Sequence, residues 1–192
     1  YKTFKGDTAN SDIIHIISVG RCHWIKGYTF ALDAMAILKK ENVRFHYTII
    51  AGGRDYENIH YQIHDLGLHE FVTFINGLPH DKVIEKLSTA DLFLLPSLEE
   101  GISNAVLEAM ALGLLVISTD CGGMSEVIKN GENGVLIPVR NADSIVGAIQ
   151  NFIDLDEINK TNIKHNARQT IIHHHQLSNQ IDRFESLYRS IV

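Results

Sequence analysis

Leu95-Pro96-Ser97-Leu98-Glu99-Glu100-Gly101-Ile102-Ser103-Asn104-Ala105-Val106-Leu107-Glu108-Ala109-Met110-Ala111-Leu112-Gly113 is the stretch whose reading decides the rest of the chain. It is strand, loop and helix in succession. Residues 91–95 form a short apolar strand halted by Pro96. A helix opens at Ser103 or Asn104, is apolar on nearly every face, and ends at Gly113. Two carboxylates interrupt this plan. Glu100 falls in the loop at the strand's C-terminal end, and Glu108 lies one turn past Asn104, above the same helical face. An acid between Leu107 and Ala109 on a buried helix needs a partner, because a dry, unpaired carboxylate is strongly destabilising. Either a ligand's hydroxyl groups or a buried cation such as Arg21 or Lys26 meets that need.

The same alternation runs outward from this stretch. Residues 13–19 read as an apolar strand, Gly20-Arg21-Cys22-His23-Trp24-Ile25-Lys26-Gly27 as a loop, and 28–40 as a helix with apolar residues at helical spacing. Strands follow at 43–51, stopped by Gly52-Gly53, and at 71–75, ended by Asn76-Gly77, with helices at 56–66 and 79–89. Pro79 suits the first turn of the latter. Residues 114–119 form a fifth strand, 125–128 a helical turn, and 135–139 a sixth strand whose Pro138 fits a sheet edge. Helices at 143–153, 156–170 and 177–191 close the chain. The expected fold class is α/β: a doubly wound, six-stranded parallel sheet of Rossmann-like type, covered on both faces. Ligands of such sheets bind at the C-terminal strand ends, near the switch point.

Composition bounds the function. At 192 residues and 45% hydrophobic content, the chain is long enough for one well-cored domain and short for two. Residues 1–12 are polar and aperiodic, like the end of a linker, which leaves residues 13–192 as the domain and implies a piece of something longer. Seventeen basic and twenty-three acidic residues give a net charge of −6, so a bulk electrostatic footprint for nucleic acid is absent. Cys22 and Cys121 are the only cysteines, and no apolar run reaches the ~20 residues of a membrane helix. The chain reads as soluble and reduced. His173-His174-His175 reads better as a solvated helix face than as a metal site.

Arg21 and Lys26 lie where an open α/β sheet presents groups to a ligand. With Gly20 and Gly27 allowing tight turns, they hold a phosphate or diphosphate from two sides, or else are solvated loop charges. The order Lys26-Gly27-Tyr28 is not that of a Walker loop, and no dinucleotide-type glycine triplet is present. The helix opening at Ser103-Asn104 offers backbone N–H groups and the positive end of its dipole to an anion, unless one of those side chains is simply its N-cap. The loops after strands one and four converge on one sheet edge, which brings these groups together.

The pair Glu100 and Glu108, within Glu-Gly-Ile-Ser-Asn-Ala-Val-Leu-Glu-Ala-Met-Ala, resembles the paired-glutamate signature of the retaining glycosyltransferases of family 4, on the GT-B fold. Val19-Gly20-Arg21 to Lys26-Gly27, Ile50-Ala51-Gly52-Gly53, Val72 to Gly77, Ala90-Asp91, and Gly122-Gly123 with Glu126-Val127-Ile128 agree in order and spacing over 13–153. The resemblance implies the C-terminal, donor-binding half of a GT-B enzyme that transfers a sugar from a nucleotide diphosphate sugar to a glycan or polysaccharide precursor, with UDP-sugar slightly preferred. It implies that Arg21 and Lys26 hold the diphosphate beside Gly20, that Glu100 meets the sugar hydroxyls, and that Glu108 meets the ribose. The backbone at Gly101, Ile102, Ser103 and Asn104 meets the distal phosphate, and Gly77-Leu78 borders the base. No metal and no other cofactor is implied.

The expected N-terminal acceptor domain is absent from this chain, so the isolated domain is expected to be inactive alone. Residues 177–191 are expected to cross toward that partner. A cytoplasmic enzyme is implied, with peripheral association of the full-length protein at the inner face of the membrane. Two departures from the family pattern are the bulky Cys22-His23-Trp24-Ile25 and Met124-Ser125 in place of a proline-containing turn. Rival readings are a sugar-nucleotide epimerase of the same fold and a non-catalytic, flavodoxin-like binding module.

Overall fold

A computed structural model of the chain describes residues 13–53, 57–175 and 188–189. Strands β1 (Ile14–Arg21), β2 (Phe45–Gly52), β3 (Val72–Ile75), β4 (Leu92–Leu95), β5 (Leu115–Thr119) and β6 (Val135–Ile137) form one parallel sheet in the order β3-β2-β1-β4-β5-β6. The helices are α1 (Tyr28–Lys40), α2 (Glu57–Asp65), α3 (His80–Leu87), α4 (Asn104–Leu112), α5 (Met124–Val127), α6 (Ala142–Asp154) and α7 (Glu157–His174). The order reverses between β1 and β4. That neighbourhood is the switch point of a doubly wound sheet.

Burial explains the sequence pattern. Every residue of β4 and β5 is buried, which is why both strands are apolar runs rather than alternating ones. One core joins Ile16, Ile49, Leu94 and Ile117 to α1, α2 and α6 through residues such as Met35, Ile63 and Ile149. The other joins Ile17, Ile50, Phe93 and Val116 to α3, α4 and α5 through Leu87, Met110 and Met124. The helices that follow the sheet are capped by side chains. Asn141 accepts from the Ser144 N–H at 2.9 Å before α6, and Asp156 from the Asn159 N–H at 2.8 Å before α7.

Several expected boundaries move. β1 runs on to Arg21, paired with Gly52, so Arg21 ends a strand instead of sitting in the loop. β6 stops at Ile137 and leaves Pro138 outside, since proline has no N–H to continue the ladder. Pro79 is the N-cap of α3, not part of its first turn. α7 extends past residue 170 to take in His173 and His174. The linker at 1–12 lies outside the described residues, as does the helix expected at 177–191 except for Tyr188 and Arg189.

Candidate functional site

The site is built on the C-terminal ends of β1 and β4. After β1 the chain passes through one turn of 3-10 helix, Trp24–Lys26, and then Gly27, whose φ of 64° both ends that turn and opens α1. A Cβ at Gly27 would stand 2.0 Å from the Pro96 carbonyl oxygen, so only glycine lets the first loop close on the fourth. The Leu98 N–H donates to the Ile25 carbonyl at 2.7 Å and fixes the two loops together.

This contact sets Lys26 against Glu100. Their side chains form an ion pair and are only 14% and 11% exposed. Ser97, fully buried, donates its hydroxyl to the same carboxylate oxygen of Glu100 at 2.7 Å. Ser97 is held in turn by the Thr119 hydroxyl, which donates to its carbonyl. Behind Glu100 lies the double glycine after β5. A Cβ at Gly122 would stand 1.5 Å from the Glu100 carbonyl oxygen, and the Gly123 N–H donates to the Gly101 carbonyl at 3.2 Å.

Arg21 is exposed, and its side chain makes no hydrogen bond or ion pair with the other described residues. Because Lys26 and Glu100 neutralise one another, the positive potential of this edge comes from Arg21 and from the N-terminus of α4. Ser103 occupies the N-cap of α4, yet its side chain caps nothing. The opening N–H groups of the helix are therefore left for an anion. Gly101, Ile102 and Asn104 are exposed around that opening. Lys26 has three N–H donors and can keep Glu100 while meeting a phosphate.

Glu108 departs from expectation. Its side chain is 31% exposed and not buried, and its partner is neither Arg21 nor Lys26. The partner is His80, the first residue of α3, with Nε2 3.0 Å from Oε1 of Glu108. Gly20 also plays a different part: its φ is not positive, and an added Cβ would stand 2.9 Å from the Tyr28 hydroxyl oxygen. It makes room for a buried tyrosine and does not turn the chain. Burial, followed by the nearby Tyr47, Cys22 and Glu100, pushes the Tyr28 phenol well above its ordinary pKa, so the hydroxyl is neutral. Burial likewise raises the Cys121 thiol. The loops after β2 and β3 reach the same edge, where a Cβ on Gly77 would lie 3.6 Å from Gly52 Cα, with Gly77 and Leu78 half-buried.

Sequence reasoning missed Ser97, Thr119 and His80. The need of a buried carboxylate for donors could have pointed to Ser97, three residues before Glu100. An exposed histidine after Pro79 carries no such signal. Among the described residues no group of three or more histidine, cysteine, aspartate or glutamate side chains is placed to hold a metal ion. Cys22 and Cys121 are both buried. No described helix is long and apolar enough to cross a membrane.

Comparison with known proteins shows the family and the fold. The family model for glycosyl transferases group 1 matches residues 2–170. The amylovoran biosynthesis glycosyltransferase AmsK of Erwinia amylovora is 35% identical over 142 residues, which is 71% of this chain and 35% of that protein. This chain thus spans about a third of the length of that relative. HepE from Anabaena, in a structure with UDP-glucose, superposes with a TM-score of 0.83 at 22% identity over 93% of this chain and 49% of that one. The C-terminal domain of LpcC, a group 1 family protein from Francisella tularensis, superposes with a TM-score of 0.74 at 24% identity, covering 85% of this chain and 87% of that one. The two solved structures speak to the fold alone.

Proposed function

The chain belongs to the group 1 glycosyl transferases, and from that premise we propose that it is the donor-binding domain of a retaining enzyme. The donor is a nucleotide diphosphate sugar, with UDP-sugar preferred, and the acceptor is a glycan or polysaccharide precursor. The observation that carries this reading is the convergence of Arg21, Lys26, Glu100 and the uncapped N-terminus of α4 at the β1/β4 switch point. UDP-glucose in HepE and the biosynthetic role in the name of AmsK favour the nucleotide and the client.

In this reading the diphosphate lies between Arg21, Lys26 and the opening N–H groups of α4, at Gly101 to Asn104. These groups offset the charge that grows on the leaving nucleoside diphosphate as the glycosidic bond breaks. Fixed donors aimed at developing charge stabilise the transition state more than the ground state. Arg21 and the N-terminus of α4 supply positive potential, and Lys26 further N–H donors, so that this edge can do this without a metal. Glu100, held by Lys26 and Ser97, accepts from the sugar hydroxyls and positions the anomeric carbon. Glu108 accepts from the ribose hydroxyls, and Gly77-Leu78 borders the base. The acceptor attacks from the face of the leaving phosphate, which takes its proton, so configuration is retained without a protein nucleophile. A second domain supplies the acceptor contacts, and this domain alone transfers little. The whole enzyme works in the cytoplasm, with peripheral association at the inner face of the membrane.

Calorimetric titration with UDP, GDP and ADP tests the reading, repeated on Lys26→Ala and Glu108→Ala with folding checked by circular dichroism. One nucleotide is expected to bind in preference, and both folded variants are expected to lose that binding. Undiminished binding in both variants would refute this placement of the donor.

A further inference from the structure

We propose that His80 is a positioning residue for the nucleoside half of the donor, acting through Glu108. This inference rests on the donor site described above and goes one layer behind it. Nε2 of His80 stands 3.0 Å from Oε1 of Glu108, and a carboxylate can only accept, so Nε2 carries the proton and donates. One of the two carboxylate oxygens is thereby occupied. The glutamate is held in one rotamer with its other oxygen available.

The connection matters because of what the two ends carry. His80 opens α3 directly after the turn containing Gly77 and Leu78, where the base is placed, whereas Glu108 sits in the second turn of α4, where the ribose is placed. α3 and α4 otherwise touch sparingly. The gap between them is a shallow cavity of about 200 Å³ lined by His80, Ile84, Leu107, Glu108, Ala111 and Ile171. At its polar end the His80–Glu108 hydrogen bond ties the base loop to the ribose acceptor. A free glutamate with about a third of its side chain in water samples several rotamers, and ordering it on binding costs affinity. With His80 in place that ordering is already done, so the preorganised carboxylate reads the ribose hydroxyls.

This role predicts a loss specific to the ribose. The test is calorimetry on the 192-residue chain with whichever of UDP, GDP and ADP binds, and with the 2′,3′-dideoxy form of the same nucleotide. The native chain is expected to prefer the ribose form by roughly tenfold, the worth of one good hydrogen bond to a charged group. His80→Ala should weaken the ribose form by roughly fivefold and leave the dideoxy form within about twofold, so that the preference collapses. His80→Gln, whose amide can also donate to Glu108, should restore most of it. Equal weakening of both nucleotides by His80→Ala would overturn the proposal, since a histidine that only shapes the base loop acts on both alike. An unchanged preference would overturn it as well. If no nucleotide binds the native chain, the donor site itself fails and the proposal falls with it.

Discussion

Replacing Gly27 by alanine tests whether the β1 and β4 loops are locked together as described. Two penalties add at this position. Gly27 sits at φ 64°, a left-handed conformation that costs an L-residue roughly 1–2 kcal/mol. The new Cβ would also stand 2.0 Å from the Pro96 carbonyl oxygen, where 3.4 Å is the near limit of ordinary contact, so the loops must part by 3.4 − 2.0 = 1.4 Å. They resist, because Ser97 is buried, Leu98 is bonded to Ile25 at 2.7 Å, and Ser97 accepts from Thr119. Overpacking of this kind costs about 1–3 kcal/mol, which brings the total to about 2–5 kcal/mol. Gly113 is the internal control. Its φ is 76°, but a Cβ there meets nothing within 4 Å, so Gly113→Ala carries only the backbone penalty of about 1–2 kcal/mol. Urea unfolding followed by circular dichroism should separate the two, and for a chain of this size melting should fall by about 10 °C for Gly27→Ala and about 4 °C for Gly113→Ala. Equal losses would mean that the Pro96 contact does not hold the loops, and the reasoning that sets Lys26 against Glu100 would fail with it.

The Lys26–Glu100 pair makes a second prediction. Lys26→Met alone leaves a carboxylate that is 11% exposed and held only by Ser97, and should cost about 2–4 kcal/mol, whereas Lys26→Met combined with Glu100→Gln should recover most of that loss. Additive losses in the urea midpoints of this cycle would show that the two charges are not coupled. A third concerns pH. Burial first, and then the neighbouring His15, lower the pKa of His46 from its ordinary 6.5. The unfolded chain therefore takes up the proton before the folded one, and the stability from a neutral His46 is present above pH 6.5 and lost as the pH falls below it. Between pH 7.5 and 5.5 the native chain should lose more stability than His46→Gln; parallel declines would contradict this assignment.

Much of the fold is legible in the sequence because of its sharp stops. Pro96, Gly113 and Asn76-Gly77 each close an element within a residue or two of where the structure does, and the run at 92–95 is fully apolar because it lies at the centre of a covered sheet. Arg21, Lys26, Glu100 and the opening of α4 were also visible, since the alternation places their loops on one edge. The sequence could not show which charges pair. Glu108 sits in an apolar run and invites a buried partner, but its side chain keeps partial contact with water, and an exposed histidine from α3 takes the place of a buried cation. Thr119 stayed hidden because its hydroxyl bonds the Ser97 carbonyl, a partner that only the fold brings near, whereas Ser97 lies three residues before the Glu100 carboxylate that it serves. Gly20 misled for a related reason: a glycine needed for space looks the same in sequence as one needed for a turn.

The most direct test of the account is a crystal structure of the chain soaked with UDP. The diphosphate should lie at the N-terminus of α4 with Arg21 and Lys26 on either side, and the ribose should face Glu108. Well-ordered nucleotide anywhere else, with the β1/β4 edge open to solvent, would contradict it.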